Sequence, residues 1–141
     1  MKYQKVIVFS LVIIIIGIAT SLFNSVEQTD LQTQSVTIGT VIYKVTPKTV
    51  TQSAATWEFE VVLNTHTGEL DQDLTQFIRM VDDEGNQYQA TKWEGDLPGG
   101  HHREGTLKFS PITPRPAFIK LNIQTTDSTG KISLRWNLGG R

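Results

Sequence analysis

Trp57-Glu58-Phe59-Glu60-Val61-Val62-Leu63-Asn64 changes character at every second residue. Trp57, Phe59, Val61 and Leu63 fall on one face of an extended chain, and Glu58, Glu60, Val62 and Asn64 fall on the other, the pattern of a strand with one buried face. The same alternation returns at Ile119, Leu121 and Ile123, and again at Ile132, Leu134, Trp136 and Leu138. Strands are also predicted over Ile38 to Val45, Phe77 to Asp82, Gln87 to Trp93 and Gly105 to Ser110. Together with Trp57 to Leu63 these make about seven, named A to G in chain order. Asp83-Glu84-Gly85-Asn86 supplies residues that tolerate positive φ and predicts a tight antiparallel hairpin between C and D. Pro111, Pro114 and Pro116 lack backbone donors, so residues 111–116 must turn over an end of the sheet. No helix of normal length fits this region. Short strands, regular turns and two well-spaced Trp predict an all-β, immunoglobulin-like antiparallel sandwich, with a jelly roll or a small open barrel as alternatives.

Upstream of the strands, residues 6–23 read VIVFSLVIIIIGIATSLF, with no charge, Lys2 and Lys5 before them and no further Lys or Arg until after Ile42. That length approaches the ~20 residues a helix needs to cross a bilayer's hydrocarbon core. The flanking lysines put the amino end in the cytoplasm and everything downstream outside it. The expected organisation is a transmembrane signal-anchor over 1–23, a polar linker over 24–37 and one domain over 38–141. The expected location is the cell membrane, in a single pass with the C-terminal domain extracytoplasmic. Cleavage near Ala19-Thr20-Ser21, giving a secreted domain, is the alternative.

The folded part has about 100 residues, enough for a single core. The chain has no Cys, which excludes thiolate metal sites and Cys nucleophiles without contradicting export. Its formal net charge is −1 and it carries no run of Lys or Arg, so nucleic acid finds no electrostatic footprint. A glycine loop leading into a helix and a Gly-x-Ser-x-Gly elbow are both missing. Asp71 with Asp73, or Glu94 with Asp96, stand two residues apart and do not oppose an acid to a base across a bond, so no enzyme is expected.

If consecutive strands reverse direction, the B to C (65–76), D to E (94–104) and F to G (126–130) connections share one end of the sandwich. That end then holds all three histidines, His66, His101 and His102, with Glu69, Asp71, Asp73, Glu94, Asp96, Glu104 and Asp127, and with Arg103 as the offsetting cation. Loops on a rigid sandwich carry binding groups. Two readings follow for this end. One is a partner or small-ligand surface that uses Trp93, Glu94, Asp96 and Arg103. The other is a divalent zinc or copper site built from His66, His101, His102, Asp71 and Asp73, although the ligand spacing matches no standard motif and adjacent histidines point to opposite faces of an extended chain. The plainer alternative has Asp71 or Asp73 capping a helical turn and His66 satisfying loop backbone. No cofactor is otherwise implied.

The segments WEFEVVLNTHTGELDQDL (57–74) and GGHHREGTLKF (99–109) resemble small, uncharacterised, membrane-anchored or exported prokaryotic β-sandwich domains. The resemblance implies that Asn64-Thr65-His66 and Gly99-Gly100-His101-His102 belong to one motif; it brings no activity. The combined expectation is a membrane-anchored extracytoplasmic module of binding or accessory type. With strand A antiparallel to B, the chain enters the domain at the histidine end, which turns that end toward the bilayer unless the 14-residue tether, up to ~45 Å when extended, lets the domain swing; the orientation of this end stays open.

Overall fold

A computed structural model describes residues 31–124 and 131–139. The apolar run 6–23, residues 24–30 of the polar stretch and the turn 126–130 lie outside the described residues. Among the described residues no helix is long and apolar enough to cross a membrane.

Two antiparallel sheets pack face to face. The first contains β1 (Gln34–Ile38), β2 (Val41–Thr49), β3 (Trp57–Thr65), β7 (His102–Phe109) and β6 (Lys92–Gly95), in that spatial order. The second runs β5 (Gln87–Gln89), β4 (Ile78–Val81), β8 (Phe118–Gln124) and β9 (Lys131–Asn137). One helical turn, Leu74–Phe77, leads into β4. The sandwich is thus the all-β architecture expected from the alternation at residues 57–64.

That alternation also sets the core. Trp57, Phe59, Val61 and Leu63 are fully buried beneath β3, and they meet Ile78, Met80, Ile119, Leu121 and Ile123 from the opposite sheet. Phe59 takes the edge of Phe109 at 5.7 Å between ring centres and tilts against Trp136 at 5.9 Å. Each such large side chain contributes about 1.5–3 kcal/mol on burial. Trp57 also satisfies its indole, donating Nε1–H to the Thr51 carbonyl at 2.9 Å.

Two differences from the seven expected strands matter for function. Residues 34–37, read as linker, form most of β1, which pairs with β2 through the turn at Gly39, whose φ is +60°. Val36 and Ile38 point inward and are only half-buried, so this edge strand carries a short, weak apolar pattern. The chain therefore enters at the opposite end from the one expected: β1 adds a reversal ahead of β2 and runs toward the histidine end. Residues ahead of β1 hold to β9, with Trp136 Nε1 donating to the Gln32 carbonyl at 2.7 Å, while Gln34 Nε2 within β1 donates to the Arg135 carbonyl at 2.6 Å. The second difference is that strand D divides. Residues 87–89 pair with β4, and the chain then crosses at Ala90 to pair residues 92–95 with β7. A small, buried Ala suits a crossing between layers.

The C to D hairpin forms where expected and is organised by Asp82, which is 5 % exposed. Its Oδ1 accepts from the Glu84 and Asn86 amides and its Oδ2 from Asn86 Nδ2 and the Tyr88 hydroxyl, all at 2.8–2.9 Å. Burial opposes the charged form, but the bonds from Asn86, Tyr88 and Glu84 outweigh it and hold the Asp82 carboxyl below its ordinary pKa. A depressed carboxyl stabilises the fold above the unfolded pKa, and that contribution is lost as pH falls through the folded one. Asp82→Ala leaves those donors without their acceptor and is expected to cost about 2–3 kcal/mol at neutral pH. The gap between wild type and variant in urea melts should narrow steadily below about pH 4; a gap independent of pH would refute this account.

Candidate functional site

The end opposite Asp82 gathers the Gly39-Thr40 turn, the β3 to β4 connection and the β6 to β7 connection. The last two are bonded along their backbones. The Thr65 amide donates to the His101 carbonyl, the Leu70 amide to the Gly100 carbonyl and the Gly99 amide to the Leu70 carbonyl, each at 2.9 Å. Gly99 and Gly100 adopt φ of +118° and +71°, conformations that bring the second loop alongside the first and that side chains disfavour. Asn64 pairs with His102 across β3 and β7, so the segments 64–66 and 99–102 are neighbours.

Arg103 locks the two loops from below. Cross-strand pairing places it inward beside Leu63, and it is 1 % exposed. One guanidinium nitrogen, Nη1, donates to the Leu70 carbonyl at 3.0 Å and the Gln72 carbonyl at 2.8 Å. Nη2 reaches the Asp96 carbonyl at 3.5 Å, and the Trp93 ring lies 5.5 Å from the guanidinium carbon. Burial presses the Arg103 pKa below the usual arginine value, opposed by the charges of Asp96, Asp73 and Asp71. Trp93 completes the corner by donating Nε1–H to the Asp96 carbonyl at 2.9 Å. Its ring lies over Gly95 and Gly105, where a Cβ at either position would come within 3.0 Å of the facing backbone and of the indole. This close approach of β6 to β7 requires glycine on both strands.

The expected site residues separate into three groups. Arg103, Trp93 and Asp96 build the loop end from within, Asp96 also accepting from the Glu104 amide through Oδ2 at 2.9 Å. Glu94 lies on the outer face of the first sheet, away from the loops, where Lys108 (2.8 Å) and Lys92 (2.6 Å) hold its pKa at about 2. His66, His101 and Asp71 are exposed on the loops.

The residues of the metal reading are not brought together. Among the described residues no group of three or more His, Asp or Glu side chains is placed to hold a metal ion. His102 points out from β7, its Nδ1 2.7 Å from Asn64 Oδ1 and its Nε2 3.6 Å from Glu104 Oε2. Asp73 is the N-cap of the helical turn, accepting from the Thr75 hydroxyl at 2.7 Å and the Thr75 amide at 2.9 Å. His66, His101, His102, Asp71 and Asp73 thus share one end of the fold without converging.

Sequence reasoning missed two features of this end. Leu97, 84 % exposed, is the most exposed large apolar side chain among the described residues, and it caps the β6 to β7 connection between Asp96 and Pro98. A lone Leu inside a Gly, Pro and acid turn was the available signal. The other is a cavity of about 370 Å³ beside the loops, lined by Tyr43, Thr40, Glu69, Gln72 and Phe77 among others, a volume within the range of small-ligand sites. Gln72 Oε1 and Arg103 Nε are buried and without partners among the described residues.

The carboxylates of the described residues whose pKa departs from the ordinary, Asp73, Asp82 and Glu94, are all lowered. For Asp73 the cause is first the Thr75 hydroxyl and then the Thr75 amide. A general acid needs the opposite shift. Comparison with known proteins returns no matching family model, no similar curated protein and no similar solved structure.

Proposed function

We propose that this chain is a membrane-anchored, extracytoplasmic binding module of immunoglobulin-like type, non-catalytic, which engages a partner through the loop end built on Arg103. The sheet orders support the finer fold assignment. With β2, β3, β7 and β6 in one sheet and β5, β4, β8 and β9 in the other, the strands follow the A-B-E-D and C′-C-F-G arrangement of such domains. Support for the anchor comes from the sequence of residues 6–23 alone.

The observation that carries the binding reading is the combination of rigidity and exposure at one end. A buried guanidinium and three inter-loop backbone bonds fix the loops, while Leu97, His66 and His101 stand exposed on them. Pre-ordered loops lose little entropy on association, and an exposed apolar side chain offers area that a partner gains by burying. The entry of β1 from the Asp82 half leaves this end distal to the tether.

Photo-crosslinking in cells expressing the full chain tests the reading. A reactive residue placed at Leu97 or His66 should give one common adduct, and the same residue at Lys48, near the other end, should not. Equal adducts from all three positions, or none at Leu97 and His66, would sink the proposal.

A further inference from the structure

The two outer faces of the sandwich differ in charge. Register places Lys44, Glu58, Glu60, Lys92, Glu94, Glu104 and Lys108 on the outside of the first sheet, where cations and acids neutralise each other, as in the Lys92, Glu94, Lys108 and Glu58 chain of contacts at 2.6–3.2 Å. The second sheet turns outward Arg79 and Val81 from β4, Gln87 and Gln89 from β5, Phe118, Lys120, Asn122 and Gln124 from β8, and Lys131, Ser133, Arg135 and Asn137 from β9. Four of these are cations and none is an acid. The carboxylates nearest in the chain are Asp83 and Glu84, in the hairpin beyond the rim, where Asp83 Oδ2 accepts from the Ala117 amide, and Asp127, in the turn 126–130 outside the described residues.

Within this face Lys120 stands directly opposite Arg135 across the β8 and β9 pair. Like charges so placed destabilise a sheet. Among the described residues both cations lie against one ring instead of a carboxylate: the Arg135 guanidinium carbon is 3.7 Å and the Lys120 Nζ 5.5 Å from the centre of Phe118. An aromatic ring screens neither charge as a counter-ion would, so an external anion would relieve the arrangement. The face is also the surface of a sheet, which suits anions presented in a plane better than a single small ligand.

We propose that this face docks on the anionic phospholipid headgroups of the bilayer to which the chain is tethered, an inference that rests on the anchor reading of residues 6–23. Charge complementarity selects the headgroup phosphates, each cation near an anionic surface adding to the attraction. The tether selects the bilayer as their source, since the seven residues 24–30 span at most about 25 Å and keep the domain within reach of the surface. Docked in this way, the sandwich lies on its side and its loop end projects along the membrane, open to a partner.

The full chain in lipid nanodiscs provides the test, with the rate of acylation of individual lysines read by mass spectrometry. In discs containing phosphatidylglycerol and phosphatidylcholine in equal parts, Lys120 and Lys131 should react several-fold more slowly than in phosphatidylcholine alone, while Lys44 and Lys92 on the other face keep their rates. The protection should vanish at about 1 M NaCl, where screening acts within about 3 Å. It should also vanish at Lys131 in the Lys120→Gln, Arg135→Gln double variant, whose retained tryptophan emission reports an intact core. Equal rates in the two lipids overturn the docking, as does protection by soluble polyphosphate with none from the lipid, which assigns the face to a polyanion in solution. Failure of the chain to enter discs at all overturns the anchor reading instead, so the two failures are distinct.

Discussion

Arg103→Ala is expected to destabilise the domain by about 3–4 kcal/mol and to unfasten its loop end first. The truncation removes the donor shared by the Leu70 and Gln72 carbonyls, leaves the Asp96 carbonyl with the Trp93 indole alone, and opens a void under both loops. Arg103→Met restores most of the volume and none of the donors, so it separates packing from hydrogen bonding and should recover roughly half of the loss. Arg103→Lys keeps the charge but offers a point donor where a planar fork is used, and should fall near the Met variant. Urea melts give the magnitudes. Hydrogen exchange locates them, because the Thr65, Leu70 and Gly99 amides that bind the loops together should lose protection in the Ala variant before the strands do. Wild-type protection at these three amides in Arg103→Ala would show that the backbone bonds stand without the guanidinium.

Trp57→Ala should cost about 4 kcal/mol, through a different route. Trp57 is wholly buried at the start of β3, opposite Phe109 on β7, and its indole is satisfied by the Thr51 carbonyl, so the truncation loses area, leaves a cavity and orphans an acceptor. For a domain of this size that corresponds to a fall in Tm of roughly 20 °C. Because the residue sits in the layer between the sheets, the loss should be global, with amide protection falling in both sheets together. Confinement of the change to β2 and β3 would mean that the sheets hold together without this side chain.

Much of the fold was legible because period-two alternation reports burial directly. At Trp57 to Leu63 and Ile119 to Ile123 each inward residue is apolar, and a register slip would have exposed them all. β1 was hidden because its inward residues, Gln34, Val36 and Ile38, are a mixed and half-buried set. The division of strand D was hidden for another reason. The strands 87–89 and 92–95 are separated by only two residues, and no turn residue marks the change of sheet at Ala90. Direction parity from B to E survived both omissions, since β1 precedes those strands and the crossing at Ala90 involves no reversal, so the gathering of the 65–76 and 94–104 connections at one end was read correctly.

The chemistry of that end was less legible. Arg103 was read as a loop charge because of its type, yet it lies in phase with the inward residues Leu107 and Phe109, and an alternation count would have placed it inside. The histidines resisted for the opposite reason. Their number suggested a ligand set, and only three-dimensional placement reveals that His102 turns to the outer face of β7 with Asn64.

The entry through β1 has a mechanical side. Residue 31 leads in from the Asp82 half, β1 runs toward the Arg103 end and turns back into β2, and the loops proposed to hold a partner hang from the far ends of β3 and β7. A pull between such a partner and the proposed tether would therefore act along the strands, across ladder bonds that lie perpendicular to it. Those bonds resist together in shear, where an attachment at the other end of β1 would have peeled them one by one. On the proposed anchoring and partner binding, the added strand makes the domain a link able to carry tension between a membrane and whatever its loops hold.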